Sequence, residues 1–202
     1  GVLDTPLVPR LALAAKDLGH SMGVLDMPVP PEPRQGPEFT GRLRDYQSRC
    51  CEKMLDNKLR RGTIWAVPRT GKTVMAAYLT SQIALFPSIF LCERIDLVQQ
   101  TVRVYKEMTS GFSVGWAADG EFHPGDFLVA TVQSCLQALD IKLTKNEKSW
   151  IGLEDEKPLA VEQRAALKKH LRDSLSIIVD ESHHLAAPSY RQVISYIASP
   201  YW

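Results

Sequence analysis

The chain lacks a surplus of positive charge: 24 lysines and arginines stand against 23 aspartates and glutamates in 202 residues, a net charge of +1. A protein that clamps duplex nucleic acid by charge alone carries a basic excess, so that class is disfavoured. Cysteine is also scarce. Cys50, Cys51, Cys92 and Cys135 form no C-x-x-C pair and are not spaced with the histidines, which argues against a zinc site and against a disulfide framework. Free cysteines on expected buried elements suit a reducing compartment. No apolar run is long enough to span a bilayer, and residues 11–15 are too short and wrongly flanked for a signal peptide. These absences point to an intracellular protein. With 45% apolar residues, the chain suffices for one α/β domain with a substantial core.

Proline is concentrated at one end. Pro28, Pro30, Pro31, Pro33 and Pro37 exclude regular helix and central strand, so residues 1–40 read as an N-terminal extension ending in an extended linker. Before them, Leu11, Leu13, Ala14, Ala15 and Leu18 suggest one short helix, and the whole segment is a candidate surface for a protein partner. The missing initiator methionine suggests a chain that begins inside a longer protein or after processing. Residues 41–202 read as one domain of alternating strands and helices, which argues for a parallel sheet covered on both faces. Strands are expected at 63–67, 88–92, 112–116, 127–131 and 175–179. Residues 138–173 read as an insertion, polar over 142–156 and helical over 161–171, with Leu167 and Leu171 on one helix face. Its Lys168-Lys169 pair suits a DNA-facing surface or a solvated face, the second preferred.

Two segments carry chemistry. In Val67-Pro68-Arg69-Thr70-Gly71-Lys72-Thr73, an apolar run at 63–67 leads into a loop and then a helix-length stretch at 73–85. That context suits a phosphate-binding loop. A helix starting at Gly71-Lys72 offers unpaired N–H groups and a positive dipole end to the phosphates of ATP. Arg69, Thr70 and Gly71 supply the loop backbone, Lys72 a point charge near the β- and γ-phosphates, and Thr73 a hydroxyl ligand for Mg²⁺. The fit to G-x-x-x-x-G-K-[ST] is imperfect: Ala66 stands where the first glycine belongs, and Arg69 is bulky.

The partner segment is Asp180-Glu181-Ser182-His183, after the mostly apolar run 175–179. A carboxylate pair at the carboxyl end of a parallel strand faces the edge where open α/β sheets bind ligands. Asp180 is placed to hold Mg²⁺, and Glu181 to orient and deprotonate a water. The plainer alternative is a surface acidic pair capping a helix.

Together these motifs resemble the first RecA-like domain of a superfamily 2 helicase or translocase, a P-loop NTPase of the α/β class. Three further stretches resemble motifs of that family in the order expected. Leu43-Arg44-Asp45-Tyr46-Gln47 is similar to the Q-motif of the branch holding type III restriction subunits, excision-repair helicases and phage helicases. The resemblance makes Gln47 the adenine reader, with the Arg44 guanidinium near the base. An amphipathic helix through Tyr46, Cys50, Met54, Leu55 and Leu59 is compatible with that role. The stretch from Ile89 to Gln100 resembles motif Ia, with Asp96 as helix N-cap and with Arg94 and Gln100 as nucleic-acid contacts; a solvated loop cation is the alternative for Arg94. The strand at 127–131 resembles motif Ib or Ic, which implies phosphate contacts from Thr131 and Gln133. In the D-E-x-H box the family's histidine couples the ATP site to motif III, a role that falls on His183. His184 has none assigned.

The resemblance implies the ATP-binding half of an ATP-dependent motor that translocates on or unwinds nucleic acid, with ATP and Mg²⁺ as cofactors. DNA is favoured over RNA because the D-E-S-H box resembles restriction, repair and phage helicases more than the RNA group. On weaker grounds it favours a bacterial or phage origin, in cytoplasm or nucleoid. Such motors need arginine fingers from a second RecA-like domain, absent from this chain, so residues 1–202 are expected to bind nucleotide but to turn it over poorly. Alternatives are a nucleotide-sensing or protein-docking module, kept open by Ala66 and Arg69, and an RNA helicase. A small-molecule kinase is weak, for want of a lid or acceptor site.

Overall fold

The structure, a computed structural model, describes residues 32–56, 62–142, 156–182, 185 and 187–197. Strands at Ser88–Cys92 (β2), Val114–Ala118 (β4), Glu121–His123 (β5), Phe127–Thr131 (β6) and Ser176–Val179 (β7) form one sheet in the order β5-β4-β6-β2-β7. All neighbours run parallel except β5, which returns antiparallel beside β4.

Alternation along these strands explains the two-sided core. Ile89, Leu91, Leu128, Ala130 and Ile177 point to one face, where Val132–Ala138 (α4), Val161–Asp173 (α5) and Pro188–Ile197 (α6) cover them. Phe90, Cys92, Phe127 and Val129 point to the other, under Lys72–Ile83 (α2) and Ile95–Met108 (α3). Such near-continuous apolar strands occur where helices cover both faces. On the second face Tyr105 stacks on Phe127 at 3.9 Å, and its hydroxyl pairs with Thr80 at 3.0 Å, so its one polar atom is satisfied. A smaller cluster of Cys51, Met75 and Leu79 joins α2 to the helix Asp45–Leu55 (α1).

Several expectations need correction. Residues 63–67 form no strand; Trp65 is 97% exposed and Val67 66%. A strand needs a neighbour for its backbone donors and acceptors, and among the described residues β7 pairs only with β2, with nothing beside 63–67. The third strand begins at Val114, two residues later than expected, because its register is set by Val114 opposite Phe127. Phe112 joins an aromatic cluster instead, 4.8 Å from Phe86. The helix at 161–173 is part of the core: Leu167 and Leu171 are fully buried. Residues 143–155 of the expected insertion lie outside the described residues.

Residues just before the expected boundary at 40 also touch the domain. Arg34 pairs with Asp126 at 2.8 Å, and Glu38–Phe39 (β1) pairs with Thr109–Ser110 (β3), with Phe39 edge-on to Tyr78. The last part of the supposed linker is therefore packed on the domain. Residues 1–31, including the expected helix near 11–18, lie outside the described residues.

Candidate functional site

Crossover connections between parallel strands bring the carboxyl ends of β2, β6 and β7 to one edge, and the loop at 67–73 lies there with them. Gly71 caps α2 in the left-handed region, φ 76°, which favours glycine. A second constraint acts on the same atom. An added Cβ would lie 2.5 Å from Gln47 Nε2, so α1 presses on the loop with room only for hydrogen. Arg69 is left-handed too, at φ 66°, without a glycine's freedom. Thr70 Oγ1 closes the turn by donating to the Val67 carbonyl at 2.7 Å.

From the other side comes β7. Asp180 follows its last residue, and the Asp180 N–H donates to the Leu91 carbonyl at 2.9 Å, extending the ladder by one bond. Glu181 then turns into the left-handed region at φ 49°, and its Oε1 lies 3.4 Å from Lys72 Nζ. Lys72 and Glu181, 109 residues apart, thus share one charge pair. Burial raises the Asp180 pKa above the ordinary carboxylate value; the Glu181 N–H bonded to it and the Lys72 charge pull the other way.

This donor set fits a magnesium nucleotide. A half-buried carboxylate whose charge is disfavoured gains from a divalent cation, and Lys72 and the free N–H groups opening α2 suit anionic oxygens. Among the described residues no three His, Cys, Asp or Glu side chains gather as a metal cage.

The base-reading candidates sit in the first turn of α1. Gln47 is 4% exposed; its Oε1 accepts from the Arg44 N–H at 2.8 Å, and its Nε2 donates to the Thr70 carbonyl at 2.8 Å. Arg44 itself is exposed, its guanidinium 3.4 Å from the Tyr46 hydroxyl. The buried positions of this helix are Gln47 and Cys51; of the expected apolar face Cys50 and Met54 pack against the same cluster, whereas Tyr46 and Leu55 stand 40% and 38% exposed.

Arg94 and Gln100 are exposed, and Arg94 makes a two-pronged contact to Asp96 at 3.1 and 3.2 Å. Asp96 lies inside α3, whose N-cap position is Arg94. Thr131 is fully buried, and its hydroxyl accepts from the Ser134 N–H at 3.1 Å as the cap of α4. Gln133 is buried as well, with its Oε1 unpartnered. His183 and His184 lie outside the described residues.

Sequence reasoning passed over Glu156. Its carboxylate accepts from Ser134 Oγ at 2.7 Å and from the Asp119 N–H at 3.2 Å, and burial raises its pKa. No local pattern marks it, because its partners lie 22 and 37 residues away.

A family model described as "Type III restriction enzyme, res subunit" matches residues 40–202. No match is found among curated proteins. Among solved structures, a nuclease-deletion mutant of the Type ISP restriction-modification enzyme LlaGI, in complex with a DNA substrate mimic, is similar at 19% identity and a TM-score of 0.45. The similarity covers 76% of this chain and 16% of that one, so the chain spans about a sixth of that enzyme's length. No helix among the described residues is long and apolar enough to cross a membrane.

Proposed function

Because the chain belongs to the type III restriction enzyme res-subunit family, as an N-terminal RecA-like domain of the superfamily 2 helicase type, we propose that it is the ATP-binding half of a DNA-dependent motor. In this reading residues 67–73 are the Walker A loop and Asp180-Glu181-Ser182-His183 the DExH box. The observation that carries it is the 3.4 Å approach of Lys72 to Glu181 at one sheet edge, with Asp180 beside them.

Each residue has a task. Lys72 and the backbone of Arg69, Thr70 and Gly71 hold the phosphates; Gln47 and Arg44 face the base. Thr73 and Asp180 would hold Mg²⁺, which supplies charge neutralisation at the β- and γ-oxygens. Glu181 accepts the proton of the attacking water, and His183 relays the state of the site to neighbouring motifs. A second RecA-like domain completes the cleft, and residues 1–31 are a candidate surface for a protein partner. Nucleic acid runs over the turn at Arg94 and the exposed face at Gln100, and the buried Thr131 and Gln133 shape the adjacent turn.

The test is nucleotide binding by the wild-type protein against Lys72→Ala, followed by DNA-stimulated ATP hydrolysis by the full-length protein carrying Glu181→Gln. Binding that depends on Lys72, with turnover that depends on Glu181, supports the motor. Full turnover without Glu181 overturns it and leaves the sensing or docking module.

A further inference from the structure

We propose that Tyr46 is a positioning residue that couples the base-reading end of the nucleotide site to its phosphate loop, by holding the Thr70 carbonyl jointly with Gln47. The inference rests on the ATP-site reading above and adds to it a residue with no role in that reading. One acceptor takes two donors: Tyr46 Oη at 2.9 Å and Gln47 Nε2 at 2.8 Å from the Thr70 oxygen. A carbonyl oxygen has two lone pairs, so both are used.

The donors are consecutive residues of the first turn of α1, and the acceptor is the residue before Gly71, where the loop becomes α2. Around them runs a closed circuit. The Arg44 guanidinium donates to Tyr46 Oη at 3.4 Å, which directs the phenol's own proton to Thr70. The Arg44 N–H meanwhile donates to Gln47 Oε1 at 2.8 Å, which fixes the amide so that its NH₂ faces the loop. Donors already polarised by such partners bind more strongly than isolated ones.

Peptide planarity turns this anchor into an orientation. In a trans peptide the carbonyl of Thr70 and the N–H of Gly71 point to opposite sides. Holding the carbonyl against α1 therefore aims the Gly71 N–H away from α1, as a fixed donor of the loop. Gln47 alone would leave the peptide plane one anchor to pivot on; the Tyr46 hydroxyl supplies the second. Packing does not account for this side chain, since Tyr46 is 40% exposed. Its hydroxyl is the informative group.

Tyr46→Phe removes that hydroxyl and keeps the ring. One net hydrogen bond is worth about 0.5–1.5 kcal/mol, so affinity for ATP should fall about 2- to 12-fold. Tripolyphosphate, which has no base, should lose affinity by the same factor, and the preference for ATP over GTP should not change. Gln47→Ala is expected to differ: ATP loses more than tripolyphosphate, and the ATP preference shrinks. Amide exchange at residues 69–73 of the nucleotide-free protein should speed up in Tyr46→Phe while the sheet strands keep their protection. Unchanged affinities together with unchanged loop exchange overturn the role of Tyr46. A wild-type protein that binds neither ATP nor tripolyphosphate overturns the underlying site reading as well, so the two failures are told apart.

Discussion

Lys72 Nζ stands 3.4 Å from Glu181 Oε1, so the cation expected to grip the phosphates and the carboxylate expected to activate water are paired across 109 residues of sequence. The pair is solvated, with the two side chains 34% and 42% exposed, and such pairs contribute about 0–1 kcal/mol. Anionic phosphates can therefore take Lys72 from Glu181 at small cost. Lys72→Ala should leave the thermal midpoint within a few degrees of wild type. It should cut ATP affinity about 10- to 100-fold, the value of a charge-assisted hydrogen bond. A large loss of fold stability instead would make Lys72 a structural residue.

Asp180 predicts a dependence on pH. Burial raises its pKa, so the folded protein holds this proton to higher pH than the unfolded chain does. The resulting stabilisation is complete below the unfolded value, about 3.9, and is lost as pH rises through the folded value. At neutral pH the charged carboxylate is thus a burden on the ligand-free fold. Asp180→Asn should melt higher than wild type at pH 7, and the gap should close as the pH is lowered toward 4. The same variant should lose the gain in nucleotide affinity that Mg²⁺ gives the wild type. Equal melting curves at pH 7 would remove the desolvation argument.

Strands at 88–92, 127–131 and 176–179 were legible because a strand covered on both faces is apolar at nearly every position, and the helix at 161–173 because its leucines repeat on one face. Residues 63–67 have the same local signature and form no strand, since pairing depends on a neighbour that composition does not reveal. The hairpin after β4 was legible and missed. Asp119 and Gly120 have φ 47° and 80° between the paired residues Ala118 and Glu121, and Asp-Gly is the sequence that such a two-residue turn favours. In the site, the motif chemistry pointed to Lys72 and Glu181 as members of one site but not to their direct 3.4 Å contact. The anchoring of Thr70 by Tyr46 was not legible, because one residue's phenol and another's backbone leave no pattern.

His170 predicts the opposite pH slope elsewhere in the fold. It lies on α5 with Nε2 3.4 Å from the Ser88 carbonyl oxygen, and burial lowers its pKa. The unfolded chain then takes up this proton before the folded one, so stability is complete above about pH 6.5 and falls as the pH drops through the folded value. His170→Gln keeps a side-chain donor for the carbonyl and cannot titrate. Denaturation midpoints measured between pH 7.5 and 5 should therefore fall less for the variant than for wild type. Parallel declines would assign the acid sensitivity to other groups.

Arg69 sets stability against binding. Its backbone is left-handed at φ 66°, which costs an L-residue with a side chain about 1–2 kcal/mol. Glycine removes that strain but adds freedom to the unfolded chain worth about 0.4–1 kcal/mol, so Arg69→Gly should stabilise by about 0–1.6 kcal/mol. The side chain is exposed beside Lys72 and Gly71, where its charge favours an incoming phosphate and a glycine offers none. Arg69→Gly should therefore melt at or slightly above wild type while binding ATP several-fold more weakly. Arg69→Lys should do the reverse, keeping the strain and most of the affinity. Strain retained for a charge is expected at a functional loop, whereas strain with no binding role is not. If Arg69→Gly binds nucleotide as tightly as wild type, the residue lies outside the phosphate site, and Lys72 and the helix N-terminus carry the anion unaided.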